Sequence, residues 1–110
     1  MIRDQMRAFT AERQWEKFHD PKSLILALVG EVGELSELFQ WLPADDAARL
    51  ASDAPLHDRV GQELADVLLY LVRLADVVNV DLAQTTMSKL QHSAERFSAN
   101  DFRGVAPEKT

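Results

Sequence analysis

An all-α fold, a compact bundle of four helices, is what this sequence predicts, and three observations predict it. Apolar residues recur at three- and four-residue spacing over long stretches. No alternating run rich in Val, Ile and Thr suggests a strand. Only four glycines and four prolines interrupt 110 residues. That length is one domain's worth, and 46% apolar residues are enough for one core but not two.

Each segment has its own signals. The first runs from about Ile2 to Phe18, with Met6, Phe9, Trp15 and Phe18 at loose helical spacing. It stops at His19-Asp20-Pro21, where Asp20 suits an N-cap and Pro21 the first helical position. The second runs from Pro21 to about Leu42 and is closed by Pro43. Its start, Leu24 to Val29, is apolar all round, and such a helix is buried on several sides. A small protein achieves that by packing several helices together or by self-association. Residues 43 to 55 read as a polar connector with room for one helical turn. The third segment, about His57 to Val78, carries a wide stripe of Val60, Leu64, Val67, Leu68, Leu71, Leu74 and Val78. Asn79 and Asp81 mark its end and the start of a fourth, about Leu82 to Phe97. Thus residues 1–97 are expected to form the helical domain. Ser98 to Thr110, with Gly104 and Pro107, are expected to form an extended tail.

Composition narrows the function. The net charge is −6, from 18 acidic and 12 basic residues, which makes the chain a poor candidate for wrapping a nucleic-acid polymer, since phosphate binding needs clustered Lys and Arg. A phosphorylated small molecule that arrives with a divalent cation stays open. The apolar run Leu24–Val29 is far too short to span a bilayer, and the polar start Met1-Ile2-Arg3-Asp4-Gln5 shows no secretory signal. There is no cysteine, which excludes disulfides, thiolate metal sites and a cysteine nucleophile and fits a reducing cytoplasm.

The acids are unevenly placed. Glu31 and Glu34 lie three residues apart on the second segment, and Glu63 and Asp66 repeat that spacing on the third. Both pairs sit among apolar neighbours: Ala27, Leu28, Leu35 and Leu38 around one, Val60, Val67 and Tyr70 around the other. A partly buried carboxylate is costly unless it is paired or bound to metal. No Lys or Arg lies one turn from Glu31 or Glu34, and Arg73 is two turns from Asp66. A divalent cation is the economical partner, and an all-oxygen site suits Mg²⁺ or Mn²⁺ rather than Zn²⁺. One such pair alone is common on solvated helices; two pairs on the two most apolar helices say more. Gly30 and Gly33 each cost about 1 kcal/mol of helix propensity, which points to close helix approach or to space beside the acids.

Competing metal sites fail on their histidines. Glu16-Lys17-Phe18-His19 has the spacing of half a di-iron motif, but His57 and His92 have Ala54 and Lys89 where the second copy needs Glu. His57-Asp58 has the form of a phosphohydrolase His-Asp pair but lacks further histidine ligands.

Taken as one string, these residues resemble a known family. Glu31-x-x-Glu34, 28 intervening residues and Glu63-x-x-Asp66 resemble the signature of the all-α nucleotide pyrophosphohydrolases, the MazG-like superfamily. Trp15 to His19, Leu26 to Leu35, Glu37 to Trp41 and Glu63 to Leu71 are similar to its dCTP pyrophosphatase branch. The resemblance covers about residues 2–97. It implies hydrolysis of a nucleoside triphosphate between the α and β phosphates. It also implies Mg²⁺ held by Glu31, Glu34, Glu63 and Asp66; on chemical grounds one of these carboxylates, Glu34, is expected to take a proton from water. By the same resemblance Trp15, His19 and Trp41 meet the base, Tyr70 the sugar or phosphate, and Lys89 the phosphate, with Arg96 retained. Plain core packing is the other use of the two tryptophans, and solvation the other use of Lys89. The chain departs from the family at Met6, Ser93 and Phe97, where His, Asn and Tyr are usual. Those changes leave the acids intact and bear on sugar, phosphate and base contacts.

The expected protein is therefore a Mg²⁺-dependent pyrophosphohydrolase acting on dCTP or modified dCTP. It is expected to be a cytoplasmic homo-oligomer, a tetramer built as a dimer of dimers. A broader or different base range is one alternative; a non-catalytic helical interaction module is the other.

Overall fold

The structure, a computed structural model, describes residues 1–106. It contains α1 (Ile2–Glu12), a 3₁₀ turn (Glu16–Phe18), α2 (Pro21–Phe39), α3 (Ala47–Ala51), α4 (Leu56–Val77), α5 (Leu82–Arg96) and α6 (Ala99–Phe102). The all-α expectation is met, and no strand occurs among the described residues. The chain divides into two compact units, Met1–Asn79 and Val80–Thr110.

In the first unit α2 packs chiefly on α4, and α1 and α3 also lie on α4. α2 starts where expected. The Asp20 carboxylate accepts hydrogen bonds from the Ser23 amide at 2.9 Å and the Ser23 hydroxyl at 2.6 Å, with Pro21 in the first turn. These bonds also hold the Asp20 carboxyl below its ordinary range. Asp20→Ala removes this cap and is expected to lower the melting temperature by roughly 4–8 °C, checked by thermal denaturation. α2 ends at Phe39, short of Leu42, because Pro43 disfavours a helical residue before it.

The first expected segment is broken. α1 ends at Glu12, and Gln14 takes a left-handed backbone with φ 53°. The reversal brings Trp15 edge-on to Phe9, with ring centroids 5.7 Å apart and planes at 74°. It also lays the Arg13 guanidinium 3.7 Å over the Phe9 ring, from where it donates to the Phe9 carbonyl at 3.0 Å. Apolar spacing cannot register this break, since one residue at positive φ reverses the chain without changing the spacing.

The count of four helices is also revised, to six among the described residues. α3 is the helical turn inside the connector. α6 lies in the expected tail, where the Ser98 hydroxyl accepts from the Asp101 amide at 3.3 Å and donates to the Asp101 carboxylate at 2.9 Å. That is a capping pattern readable in Ser98-Ala99-Asn100-Asp101. Phe97 packs edge-on against Phe102 at 5.2 Å. Gly104 follows at φ 73°, a left-handed stop. Residues 107–110 of the expected tail lie outside the described residues. α5 begins as expected, with the Asp81 side chain accepting from the Gln84 amide at 3.0 Å.

Burial is sparse. Among the described apolar residues only Leu24 and Ala75 are buried. Ile25, Leu26, Val29 and Val32 on α2, and Leu64, Leu68, Leu69 and Leu71 on α4, are exposed. The apolar start of α2 is therefore not enclosed within one chain. Gly30 and Gly33 do not mark close helix approach either: a Cβ at either would meet nothing within 4 Å.

Candidate active site

α2 and α4 bring the carboxylates together. Glu31, Glu63 and Asp66 each place a carboxylate oxygen within 4.8 Å of the other two, and all three residues are half-buried. Helical spacing explains it: Glu63 and Asp66 share one stripe of α4, and Glu31 faces them from α2. The two helices run antiparallel here, because Leu38, later on α2, shares a cleft with Leu56, earlier on α4. Glu34 is exposed and lies outside the trio. It is turned about 60° round α2 from Glu31. It opens onto that cleft, of about 490 Å³, with Glu37, Leu38, Leu56, Arg59 and Glu63.

The electrostatics of the trio are unbalanced. Glu31 Oε2 and Glu63 Oε2 are shielded from solvent and have no hydrogen-bond partner. Two ionised carboxylates have no proton to offer each other. The contact with Glu63 is the main reason the Glu31 carboxyl is pushed up to about 7; burial comes next, then the charge of Glu34. Asp66 adds a smaller push. Oxygen-only donors, two of them orphaned, fit a hard divalent cation such as Mg²⁺ or Mn²⁺.

A pH dependence follows. Glu31 holds a proton in the fold more tightly than in the unfolded chain. Its contribution to the stability of the metal-free protein is full below about 4.5 and is lost as pH rises through about 7. A cation competes with that proton. The rise in melting temperature on adding Mg²⁺ is therefore expected to be larger at pH 8 than at pH 6, checked by paired melts with and without the metal.

The other expected site residues are dispersed. His19 stands just before α2. Its Nδ1 accepts a hydrogen bond from Arg73 Nε at 3.0 Å, so a neutral His19 carries its proton on Nε2. Burial, then the charge of Arg73, lowers its pKa against the opposing pull of Glu16, which keeps the ring neutral. Trp15 is partly exposed beside Phe9, and Tyr70 is half-buried one turn beyond Asp66. Trp41 is 86% exposed and follows the far end of α2. α2 has 19 residues, and a helix of that length spans about 28 Å. In the chain Trp15 precedes that helix and Trp41 follows it. Lys89 and Arg96 belong to the second unit. There Lys89 lines a groove with Thr85, Thr86, Leu90 and Ser93, and Arg96 lies 4.9 Å over the Phe97 ring.

Two features escaped the reading of the sequence. Arg73 was weighed only as a distant partner of Asp66. It is buried, and it pairs with Asp76 at 3.3 Å as well as with His19. Arg7 on α1 closes the group through a two-pronged contact with Asp76, one bond of which is 2.8 Å. The Arg73–Asp76 spacing of three residues was the available signal. Arg59, one turn before Glu63, carried the same kind of signal.

An all-helical chain whose two longest helices converge on a partnerless group of carboxylates is a helical scaffold built around an acidic centre. Comparison with known proteins makes the class specific. Residues 19–97 match the MazG nucleotide pyrophosphohydrolase domain. The chain is 45% identical to dCTP pyrophosphatase 1 of Bos taurus over 96% of its own length and 62% of the relative's. For dCTP pyrophosphatase 1 of Homo sapiens the figures are 44%, 99% and 64%. A crystallised pyrophosphatase from Archaeoglobus fulgidus is 32% identical and superposes with a TM-score of 0.78, covering 86% of this chain and 87% of that one. The chain belongs to the MazG nucleotide pyrophosphohydrolase family. It spans somewhat under two thirds of the length of its dCTP pyrophosphatase 1 relatives.

Proposed function

We propose that this protein hydrolyses nucleoside triphosphates to monophosphate and pyrophosphate, with dCTP or a modified dCTP as the preferred substrate. The observation that carries the reading is the convergence of Glu31, Glu63 and Asp66 with two orphaned oxygens in a member of this family. Its curated relatives are dCTP pyrophosphatases.

Glu31, Glu63 and Asp66 hold Mg²⁺ (Mn²⁺ is an equivalent donor match), with Glu34 completing the set. When bound, the cation neutralises phosphate charge and acidifies water. Glu34 is the exposed member of the group and lines the cleft, which suits a carboxylate that accepts the proton of the attacking water. Trp15 supplies a stacking face, and its edge contact with Phe9 fixes the ring. His19 offers an Nε2–H donor to a base edge. By the family pattern Tyr70 meets the sugar or phosphate, and Lys89 and Arg96 meet phosphate. A broader base range is the second reading, favoured by Met6, Ser93 and Phe97 at positions where the family pattern differs.

The protein acts as a homo-oligomer, a tetramer arranged as a dimer of dimers. The exposed apolar residues of α2 and α4 support this, since a patch of that kind marks an interaction surface. The partner is a small nucleotide rather than a nucleic-acid polymer, in line with the −6 charge. No helix among the described residues is long and apolar enough to cross a membrane. With no cysteine in the sequence, the assigned compartment is the cytoplasm.

The test is a panel of nucleoside triphosphates with Mg²⁺, quantifying pyrophosphate and monophosphate. Pyrophosphate release, greatest with dCTP or its modified forms, is expected. No turnover on any triphosphate overturns the enzyme reading. Release of orthophosphate moves the cleaved bond.

A further inference from the structure

Arg59 is chemically out of place in its cleft. It shares the walls with Glu34, Glu37 and Glu63. Yet its guanidinium makes no ion pair and no hydrogen bond among the described residues. The other five arginines of the first unit all pair with a carboxylate: Arg3 with Asp4, Arg7 with Asp4 and Asp76, Arg13 with Glu12, Arg49 with Asp46 and Arg73 with Asp76. Arg59 has acids within the same cleft and stays uncommitted.

Its position gives that freedom a direction. Arg59, Glu63, Asp66 and Arg73 recur at spacings of four, three and seven residues, so they follow one stripe of α4. Arg73 holds His19 at one end of the stripe, the acids lie in the middle, and Arg59 stands at the other end. A nucleotide whose base meets Trp15 and His19, with its phosphates over the acids, extends its terminal phosphates toward Arg59. Guanidinium presents a planar fork that matches phosphate oxygens two at a time.

We infer that Arg59 binds the β- and γ-phosphates of the substrate and, after cleavage, the pyrophosphate product. This rests on the triphosphate reading above and adds a residue which that reading does not assign. Arg59 orders the leaving group, and the monophosphate half is held without it.

The test uses the full chain at saturating Mg²⁺ and compares wild type, Arg59→Ala and Arg59→Lys. Arg59 is exposed, so both variants are expected to melt like wild type. In Arg59→Ala, inhibition by inorganic pyrophosphate is expected to weaken by about tenfold, the loss of one charge-assisted contact, while inhibition by dCMP is unchanged. Arg59→Lys is expected to recover part of the loss, keeping the charge without the fork. A merely structural role would move both inhibitors together, and that result overturns the inference. So does pyrophosphate inhibition that stays within about twofold of wild type. If wild type turns over no triphosphate, the functional reading fails separately. Calorimetric titration of Mg²⁺-pyrophosphate into wild type and Arg59→Ala then decides, with equal affinities overturning the role of Arg59.

Discussion

Glu63→Gln is expected to abolish metal-dependent turnover while making the metal-free protein more heat-stable. The two effects share one cause. In the metal-free fold Glu63 is the main reason Glu31 resists ionisation, and each carboxylate presents an oxygen with no partner. Gln replaces one of those carboxylates with a neutral group of the same shape whose NH₂ can donate to Glu31. The repulsion disappears, so the melting temperature of the metal-free protein rises, most clearly at pH 8, where Glu31 is ionised. The same change removes one of the proposed metal ligands. Outer-shell partners of a metal already cost about 10- to 100-fold in affinity or activity, so loss of a ligand is expected to cost about 100-fold or more in kcat/KM. It is also expected to reduce any rise in melting temperature on adding Mg²⁺. Melting with and without Mg²⁺, alongside turnover at saturating metal, checks both signs. A variant that loses activity and stability together contradicts the assignment.

Asp76→Ala is expected to be the most destabilising single change in the first unit. Asp76 keeps only 8% side-chain exposure and answers two arginines. Arg73 is nearly as buried, with 10% side-chain exposure, so removing Asp76 leaves its charge in the interior with only His19 as acceptor. Leaving a buried charge unpaired costs about 3 kcal/mol or more. For a chain of this size the melting temperature then falls by about 12 °C or more. Arg7→Ala is the contrasting case. Its side chain is 53% exposed, so water replaces much of what it provides, and its melting temperature is expected to fall by less than that of Asp76→Ala. Asp76 also has a pH signature. The Arg7 hydrogen bonds, chiefly, hold its carboxyl below the ordinary 3.8. Its contribution is therefore full above that value and is lost as pH falls below it. That window lies on the acid side of the one set by Glu31, and the two slopes have opposite signs. Stability measured against pH in the absence of metal separates them.

The helices and the acids were legible because both are local patterns. α2, α4 and α5 each begin within a residue of expectation, since Asp20-Pro21, the stripe from Val60 and Asp81 are signals written in neighbouring residues. The i, i+3 spacing of Glu31 with Glu34 and of Glu63 with Asp66 marked the site for the same reason. The break at Gln14 was not legible, because a positive φ in a residue other than glycine or asparagine leaves no mark on apolar periodicity. α6 left a mark, the Ser98–Asp101 cap, beside glycine and proline signals that read as tail.

By itself the sequence determined that this chain is helical and that four carboxylates sit on two apolar helices without cations one turn from Glu31 or Glu34. Those are consequences of spacing along one chain. Which acids meet was decided only by the antiparallel packing of α2 on α4. That packing draws Glu31, Glu63 and Asp66 together and leaves Glu34 at the mouth of the cleft. The same packing couples His19 to Arg73 across 54 positions and leaves Arg59 as the unpaired arginine of the first unit. A helix fixes the angle between its own residues. The rotation and offset of one helix against another depend on how two surfaces fill space, and no single stretch of sequence carries that.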